Sequence, residues 1–468
     1  MTQDYLNRPY FFCGIGGSGM LPLALILKAK GARVAGSDRA LDQGRLQQKF
    51  AFLDSQGIKL FPQDGSGVSA DSIVIVSGAV EASVPDIAAA QAKSVRIMSR
   101  AELLAELFNQ SSMRIGVAGT SGKSTVTGMI GHILTVAGKD PTIMNGAVMM
   151  NLASADTPFA SARVGQSDLF VSEVDESDGS IIRYTPSIAV VNNISLDHKS
   201  LEELRSLFGD FANRAGKAIL NLDNIETTRL VANLPPDRTI AYSLKKRSAD
   251  LLASAIVPAP DGISFSLGYR DSGREYVRLS VPGRHNVANA LAAIGACLAA
   301  DVPLSTSSRA LADFKGIRRR LETIGTVSGV TIIDDFAHNP DKIAATLSTL
   351  HDFDGRLLIF FQPHGFGPLK LMKDEFIRGF AKHLAPVDVL IMPEPVYFGG
   401  TTDRSISSID IVTGVVAAGR RAESFVTREE CGQRLIELAK PGDRIVVMGA
   451  RDDTLSEFAH LLLKGLKG

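Results

Sequence analysis

The chain has 468 residues, and Lys plus Arg equals Asp plus Glu at 50 each, so bulk charge gives no reason to expect nucleic acid or an anionic membrane as the main partner. With 45% hydrophobic and 21% charged residues it reads as a soluble globular protein without a run of about eighteen apolar residues to span a bilayer, and about 150 residues per domain suggests three domains. The first residues lack the basic and apolar regions of a secretory signal, so a cytoplasmic location is expected, and Cys13, Cys297 and Cys431 have no metal-ligand spacing and read as reduced core residues.

The first strand signal is Tyr10-Phe-Phe-Cys13, followed by the glycine-rich turn Gly14-Ile-Gly-Gly-Ser-Gly19 and a helical stretch from Leu21 to Lys30. Short β-branched runs such as Ile73-Val-Ile-Val76 then alternate with helical pattern, the mark of βαβ units on a parallel sheet. Arg100 to Phe108 reads as an amphipathic helix and Asn109 to Ser112 as a polar break, so the first domain is expected over residues 1–110. Asp38, after the second strand, lies where a dinucleotide fold keeps its ribose carboxylate. On these residues NAD leads, but any nucleotide diphosphate can use the same amides, and a tight turn without a ligand is the plain alternative.

A second α/β unit, expected over residues 111–316, opens with the strand Arg114 to Ala118 and the loop Gly119-Thr-Ser-Gly-Lys-Ser-Thr125. Val117 stands where the strict P-loop has its first glycine, yet the chemistry is complete: Gly119 and Gly122 let amides approach phosphate, Lys123 supplies a point charge, and Ser124 can ligate Mg2+. Further ligands are offered by Ser172-Glu-Val-Asp-Glu-Ser-Asp178 and by Asn192 to His198, each after a strand, although an acidic run is by default a solvated loop. Strands follow at Ala218 to Leu222 and, as antiparallel additions, between Leu251 and Leu279, before the small-residue helix Ala288 to Ala300 and the basic turn at Gly316 to Arg320. Residues 317–468, with strands at Thr331 to Asp334, Leu357 to Phe361, Val387 to Met392 and Arg444 to Met448, read as a third, doubly wound unit.

Taken together, the two glycine loops, Val76-Ser-Gly-Ala79, Ser99 to Glu106, Glu173 to Asp178, Gly283-Arg-His-Asn286 with Asn289, Asp334 to Pro340 and Phe361-Gln-Pro-His364 resemble the Mur ligase family along essentially the whole chain. The likeness is nearest to its alanine-adding and peptide-recycling branches. It implies a three-domain α/β fold, with Rossmann-like ends around a P-loop centre, that uses ATP and Mg2+ to join an amino acid or peptide to UDP-N-acetylmuramate. By motif, the UDP diphosphate falls to Gly14, Gly16, Gly17, Ser18, Gly19 and Met20, with Asp38 and Ser77 near the nucleotide or sugar. ATP phosphates fall to the loop Gly119, Thr120, Ser121, Gly122, Lys123, Ser124 and Thr125, and the adenosine to Asn289, Arg319 or Arg320, and Asp335. Ser124, Glu173 and His198 are the implied metal ligands, Lys123, Glu173, His198 and His338 the catalytic set, and His338 with His364 the side that meets the amine.

The implied mechanism is an acyl phosphate formed from the muramyl carboxylate and ATP. Because that species hydrolyses in open water, a C-terminal domain able to close is expected. Several positions depart from the family: Ser121 and Ser124 replace the usual His and Thr, Asn339 replaces a second His, and the segment before Asp197 lacks its usual acid. Phe208 stands near the carbamylated lysine of some members, so none is expected. After Pro363-His364, Gly365 and Pro368 occupy the stretch where alanine-adding relatives carry arginines, leaving Lys370 or Arg404 as replacement charges. Alanine is the first expectation for the amine, with a recycled peptide or another amine open. No nucleic acid or membrane partner is expected, and the protein is expected to be a monomer or homodimer. A nicotinamide oxidoreductase and a silent nucleotide-binding paralogue are the alternatives from other classes.

Overall fold

The computed structural model describes residues 7–78, 80–81, 83–195, 199–270, 273–396, 404–450, 452 and 454–467. Its strands form three sheets. The first contains β1 (Pro9–Cys13), β2 (Arg33–Ser37), β3 (Lys59–Phe61), β4 (Ile73–Val76) and β5 (Arg96–Ser99), in the order β3-β2-β1-β4-β5, and every pairing is parallel. The central strand β1 is buried along Tyr10 to Cys13, as a parallel strand covered on both faces must be. Strand order reverses at β1, so the turn Gly14–Gly19 leaves the sheet at its topological switch point.

The second sheet has ten strands: β6 (Met113–Ala118), β7 (Thr142–Met144), β8 (Ala162–Arg163), β9 (Leu169–Glu173), β10 (Ile188–Val191), β11 (Lys217–Asn221), β12 (Thr239–Ser243), β13 (Leu251–Ala259), β14 (Gly262–Tyr269) and β15 (Arg274–Leu279). They are ordered β15-β14-β13-β12-β11-β10-β6-β9-β7-β8, with β6 parallel to both neighbours, β9 and β10. Consequently the segments that follow β6, β9 and β10 emerge at one rim. The expected additions between Leu251 and Leu279 are β13 to β15, and β13 joins β12 in parallel.

Contacts divide the chain into two compact units. The first, residues 1–256, 264–280 and 286–317, holds both of these sheets; the second, residues 257–263, 281–285 and 318–468, holds the third. In the first unit the helix Arg100–Gln110 joins the sheets into one apolar core: Phe108 meets Phe170 edge-on at 5.8 Å and Tyr184 at 5.3 Å. Ser99 starts this helix with a capping box, its hydroxyl accepting from Glu102 N while Glu102 accepts from Ser99 N. Leu103, Leu104, Leu107 and Phe108 line its buried face, each contributing about 1.5–3 kcal/mol of transfer free energy. The helix runs through Gln110 and stops where Ser111 turns to extended backbone, so the expected polar break is confined to Ser111 and Ser112.

The second unit contains β16 (Glu322–Val327), β17 (Val330–Asp335), β18 (Leu357–Gln362), β19 (Val389–Pro393), β20 (Arg421–Phe425) and β21 (Arg444–Gly449), ordered β16-β17-β21-β18-β19-β20. All pairings are parallel except β16 with β17, an antiparallel hairpin at the edge turning through Ser328 and Gly329. Edge strand β16 is only half-buried, which is why its sequence shows no continuous apolar run.

Candidate active site

The loop after β6 is set by glycine geometry. Gly119 and Gly122 take φ of +135° and +85°, and a Cβ on Gly122 would stand 2.4 Å from Asn192 Nδ2 and 2.6 Å from Asn289 Oδ1. Gly122 caps the 14-residue helix Lys123–Val136, whose N-terminal dipole favours an anion there. Asparagines brace the loop from behind. Asn193 Oδ1 accepts from Ser121 N at 2.9 Å and from Thr120 Oγ1 at 2.8 Å, while Asn192 Nδ2 donates to Ser121 O at 3.1 Å and to Asn289 Oδ1 at 2.9 Å. Asn289 is therefore a buried part of the loop's support, and Thr125 is buried in the first turn of the helix.

Lys123 Nζ donates to Gly119 O at 2.8 Å and to Glu176 Oε2 at 2.9 Å. Burial works against the lysine charge, but the carboxylates of Glu176, Glu173 and Asp175 outweigh it and hold the pKa above the ordinary value. Glu176 is itself pushed up by burial, and a carboxylate this enclosed needs the ammonium beside it. One residue on, Ser124 Oγ donates to Glu173 Oε2 at 2.9 Å, and the same oxygen accepts from Gly146 N at 3.0 Å.

Among the described residues no cluster of three or more His, Cys, Asp or Glu is placed to hold a metal. The Ser124 hydroxyl and Glu173 carboxylate nevertheless fit Mg2+, a hard cation that keeps several waters and is held by one or two protein oxygens plus substrate phosphates. His198, expected to complete the ligands, lies outside the described residues.

The first glycine loop is braced differently. Gly14 N and Ile15 N donate to Ser37 O, and Gly16 N donates to Asp38 Oδ2 at 2.9 Å. Asp38 Oδ1 accepts from Ala40 N at 2.9 Å, capping the turn Arg39–Asp42, so both of its oxygens organise main chain. Gly17 N and Met20 N are also bonded within the loop, and Gly17 and Ser18 are exposed. The Ser77 turn follows β4, next to β1, and its Val80 is 3.8 Å from where a Gly14 Cβ would stand. Lys49, absent from the sequence expectations, reaches Gly16 O at 3.2 Å from the helix Gln47–Ser55.

In the second unit, His338 and His364 come together with ring centroids 5.1 Å apart and planes at 81°. His338 Nδ1 lies 2.9 Å from Phe336 O, and because a carbonyl only accepts, Nδ1 carries the proton. Burial, then the Lys342 charge, push His338 down to about 3, so the ring is neutral at pH 7 and Nε2 is an acceptor. Arg319 is committed to internal contacts, donating to Gly449 O at 2.8 Å, Asp452 O at 3.1 Å and Asp334 Oδ1 at 3.3 Å. Asp335 likewise accepts from Leu321 N and Thr346 Oγ1. Arg320 is half-exposed and stacks 4.3 Å from the Phe336 ring. Of the replacement charges, Lys370 Nζ donates to Ser405 Oγ at 3.1 Å and Arg404 lies 6.0 Å from the Phe366 ring.

Family models match this chain in sequence order: Mur ligase family, catalytic domain, over residues 9–112; Mur ligase middle domain over 117–297; and Mur ligase, glutamate ligase domain, over 319–451. The chain belongs to the Mur ligase family. Its relatives include the UDP-N-acetylmuramate–L-alanine ligases of Desulfosudis oleivorans, 34% identical over 94% of this chain and 95% of that protein, and of Synechococcus sp. strain JA-3-3Ab, 36% identical over 95% and 84%. Among solved structures, the murein peptide ligase of Psychrobacter arcticus is 26% identical with a TM-score of 0.70, covering 98% of this chain and 99% of that one. The UDP-N-acetylmuramate-alanine ligase of Thermotoga maritima shares the fold with a TM-score of 0.80 at 24% identity, covering 98% of each.

In this Mur ligase three parallel strands, β9, β6 and β10, deliver Glu173, the Lys123 loop and the asparagine pair to one rim. Sequence reasoning picked Lys123, Ser124 and Glu173 as site residues but not Glu176, Asn192 or Asn193 as the loop's partners. The available signal was position, since both segments follow strands that flank β6.

Proposed function

We propose that this Mur ligase joins an amine, L-alanine first, to UDP-N-acetylmuramate with ATP as the energy source, in the cytoplasm and in the assembly of peptidoglycan precursor. The observation that carries the reading is the Lys123 loop beside the Ser124 and Glu173 oxygens, in a chain with a second glycine loop at the switch point of another sheet. The names of the relatives support the substrates. Lys123 exchanges Glu176 for ATP phosphates, and Ser124 and Glu173 hold Mg2+, with His198 as a further ligand. Bound there, Mg2+ supplies charge neutralisation on the phosphates.

The muramyl carboxylate oxygen attacks the γ-phosphorus, the bond to ADP breaks, and Lys123 stabilises the charge that moves to the leaving oxygen. The amine then attacks the acyl carbon, phosphate leaves with the carboxylate oxygen, and the nitrogen loses its proton. His338 Nε2, which carries no proton, accepts a hydrogen bond from the incoming amine, with His364 beside it, and Arg320 serves the adenosine. A recycled peptide as the amine remains the second reading, favoured by Gly365 and Pro368 in place of arginines after His364. Mass spectrometry of products from UDP-N-acetylmuramate, ATP and a panel of amino acids and peptides separates the two. A mass increment of alanyl supports the first reading, a peptide increment the second, and no product with any amine contradicts both.

A further inference from the structure

The segment after β9 reaches beyond the Lys123 loop. Its Asp178 faces Arg100, the first residue of the helix Arg100–Gln110, with Nη2 3.7 Å from Oδ2. Farther along, Arg183 pairs with Glu102 of that helix at 3.0 Å, and Asn109 donates to Arg183 O and accepts from Thr185 N. Residues 173–185 are thus fixed at one end to Ser124 and Lys123, and along their length to a helix that begins beside the first glycine loop.

Arg100 also packs on that loop. A Cβ at Gly19 would stand 2.7 Å from Arg100 Nη1, so the missing side chain at the third glycine admits the guanidinium. The Arg100 side chain is 24% exposed and makes no hydrogen bond among the described residues, its separation from Asp178 being too long for one. The N–H groups of Ser18 and Gly19 beside it are equally without acceptors there. Its guanidinium nitrogens are open to solvent and five donors stand beside the loop uncommitted, the planar fork that matches a bidentate oxyanion such as a diphosphate. A partly exposed ion pair is weak enough for Asp178 to be displaced by such a ligand.

We propose that Arg100 binds the diphosphate of the muramyl nucleotide and that its transfer from Asp178 to phosphate couples the first glycine loop to the carboxylates at the Lys123 loop. This rests on the assignment of UDP to the first loop. The coupling is reciprocal, so the factor by which one nucleotide changes the affinity for the other is the same in both directions.

Calorimetric titration of the full chain tests it, with UDP, uridine and UDP-N-acetylmuramate as probes, with and without Mg2+ and a non-hydrolysable ATP analogue. R100Q is expected to weaken UDP at least tenfold with uridine unchanged, R100K to weaken it less, and D178N to tighten it severalfold. The ATP analogue is expected to tighten UDP-N-acetylmuramate severalfold in the parent chain and not in R100Q or D178N. UDP bound equally by the parent and a folded R100Q overturns the role of Arg100. If R100Q does not fold, unchanged UDP affinity in D178N overturns it instead. A parent chain that binds the ATP analogue but neither UDP nor UDP-N-acetylmuramate removes the first-loop assignment itself, and the proposal falls with it.

Discussion

Gly122 leaves no room for a methyl group, because Asn192 Nδ2 and Asn289 Oδ1 converge on the place a Cβ would take and φ is +85°. Gly122→Ala is expected to cost about 1–3 kcal/mol of stability, read as a lowered urea midpoint, and to raise the KM for ATP by splaying the asparagine brace. Lys123 is a different case, since its ammonium holds the buried Glu176 before any phosphate arrives. Lys123→Met is expected to lower kcat by about 10²–10³-fold, while Lys123→Met combined with Glu176→Gln regains the stability lost in the single variant. Rate assays and thermal melts on both variants check this; a single variant as active as the parent would show that Lys123 does not meet the reacting phosphate.

At the scale of elements, both glycine loops were legible because glycines at fixed offsets between a strand and a helix form a pattern that survives in sequence. The helix Arg100–Gln110 was legible from its periodicity, with Ser99 and Glu102 marking its start, while its end lies at Ser111 and not at the polar residue Asn109. Partners of the Lys123 loop were not legible, because Asn192, Asn193 and Glu176 reach it through strand order, which no local pattern encodes. Hairpin strand β16 was missed for a related reason: in a half-buried edge strand where Ile324 and Val327 stand among Glu, Thr and Gly there is no continuous apolar run.

The His338 strand-to-helix turn gives a pH prediction. With the ring held down to about 3 from an ordinary 6.5, the unfolded chain takes up the proton first, so stability is complete above pH 6.5 and falls as pH drops toward 3. Denaturant midpoints at pH 7 and pH 5 should therefore differ less in His338→Gln than in the parent. Equal differences would mean that the ring is not held neutral by the fold.

For the whole molecule, length announced three domains and the alternation of strand and helix signals made them α/β, and three sheets and three family matches bear that out. Charge balance gave no reason to expect a polyanion as main partner and indicated no substrate; the loops and their ordered companions did that. Amine identity was the least legible property, because Gly365 and Pro368 remove the fork that would have announced a carboxylate.

ATP activation of the muramyl carboxylate is the step on which the proposed function stands. Its most direct test is to supply UDP-N-acetylmuramate labelled with 18O in that carboxylate, together with ATP, Mg2+ and the accepted amine, and to weigh the released phosphate. Passage through an acyl phosphate delivers one 18O to the phosphate for each amide formed. Amide formed with phosphate free of label would contradict it.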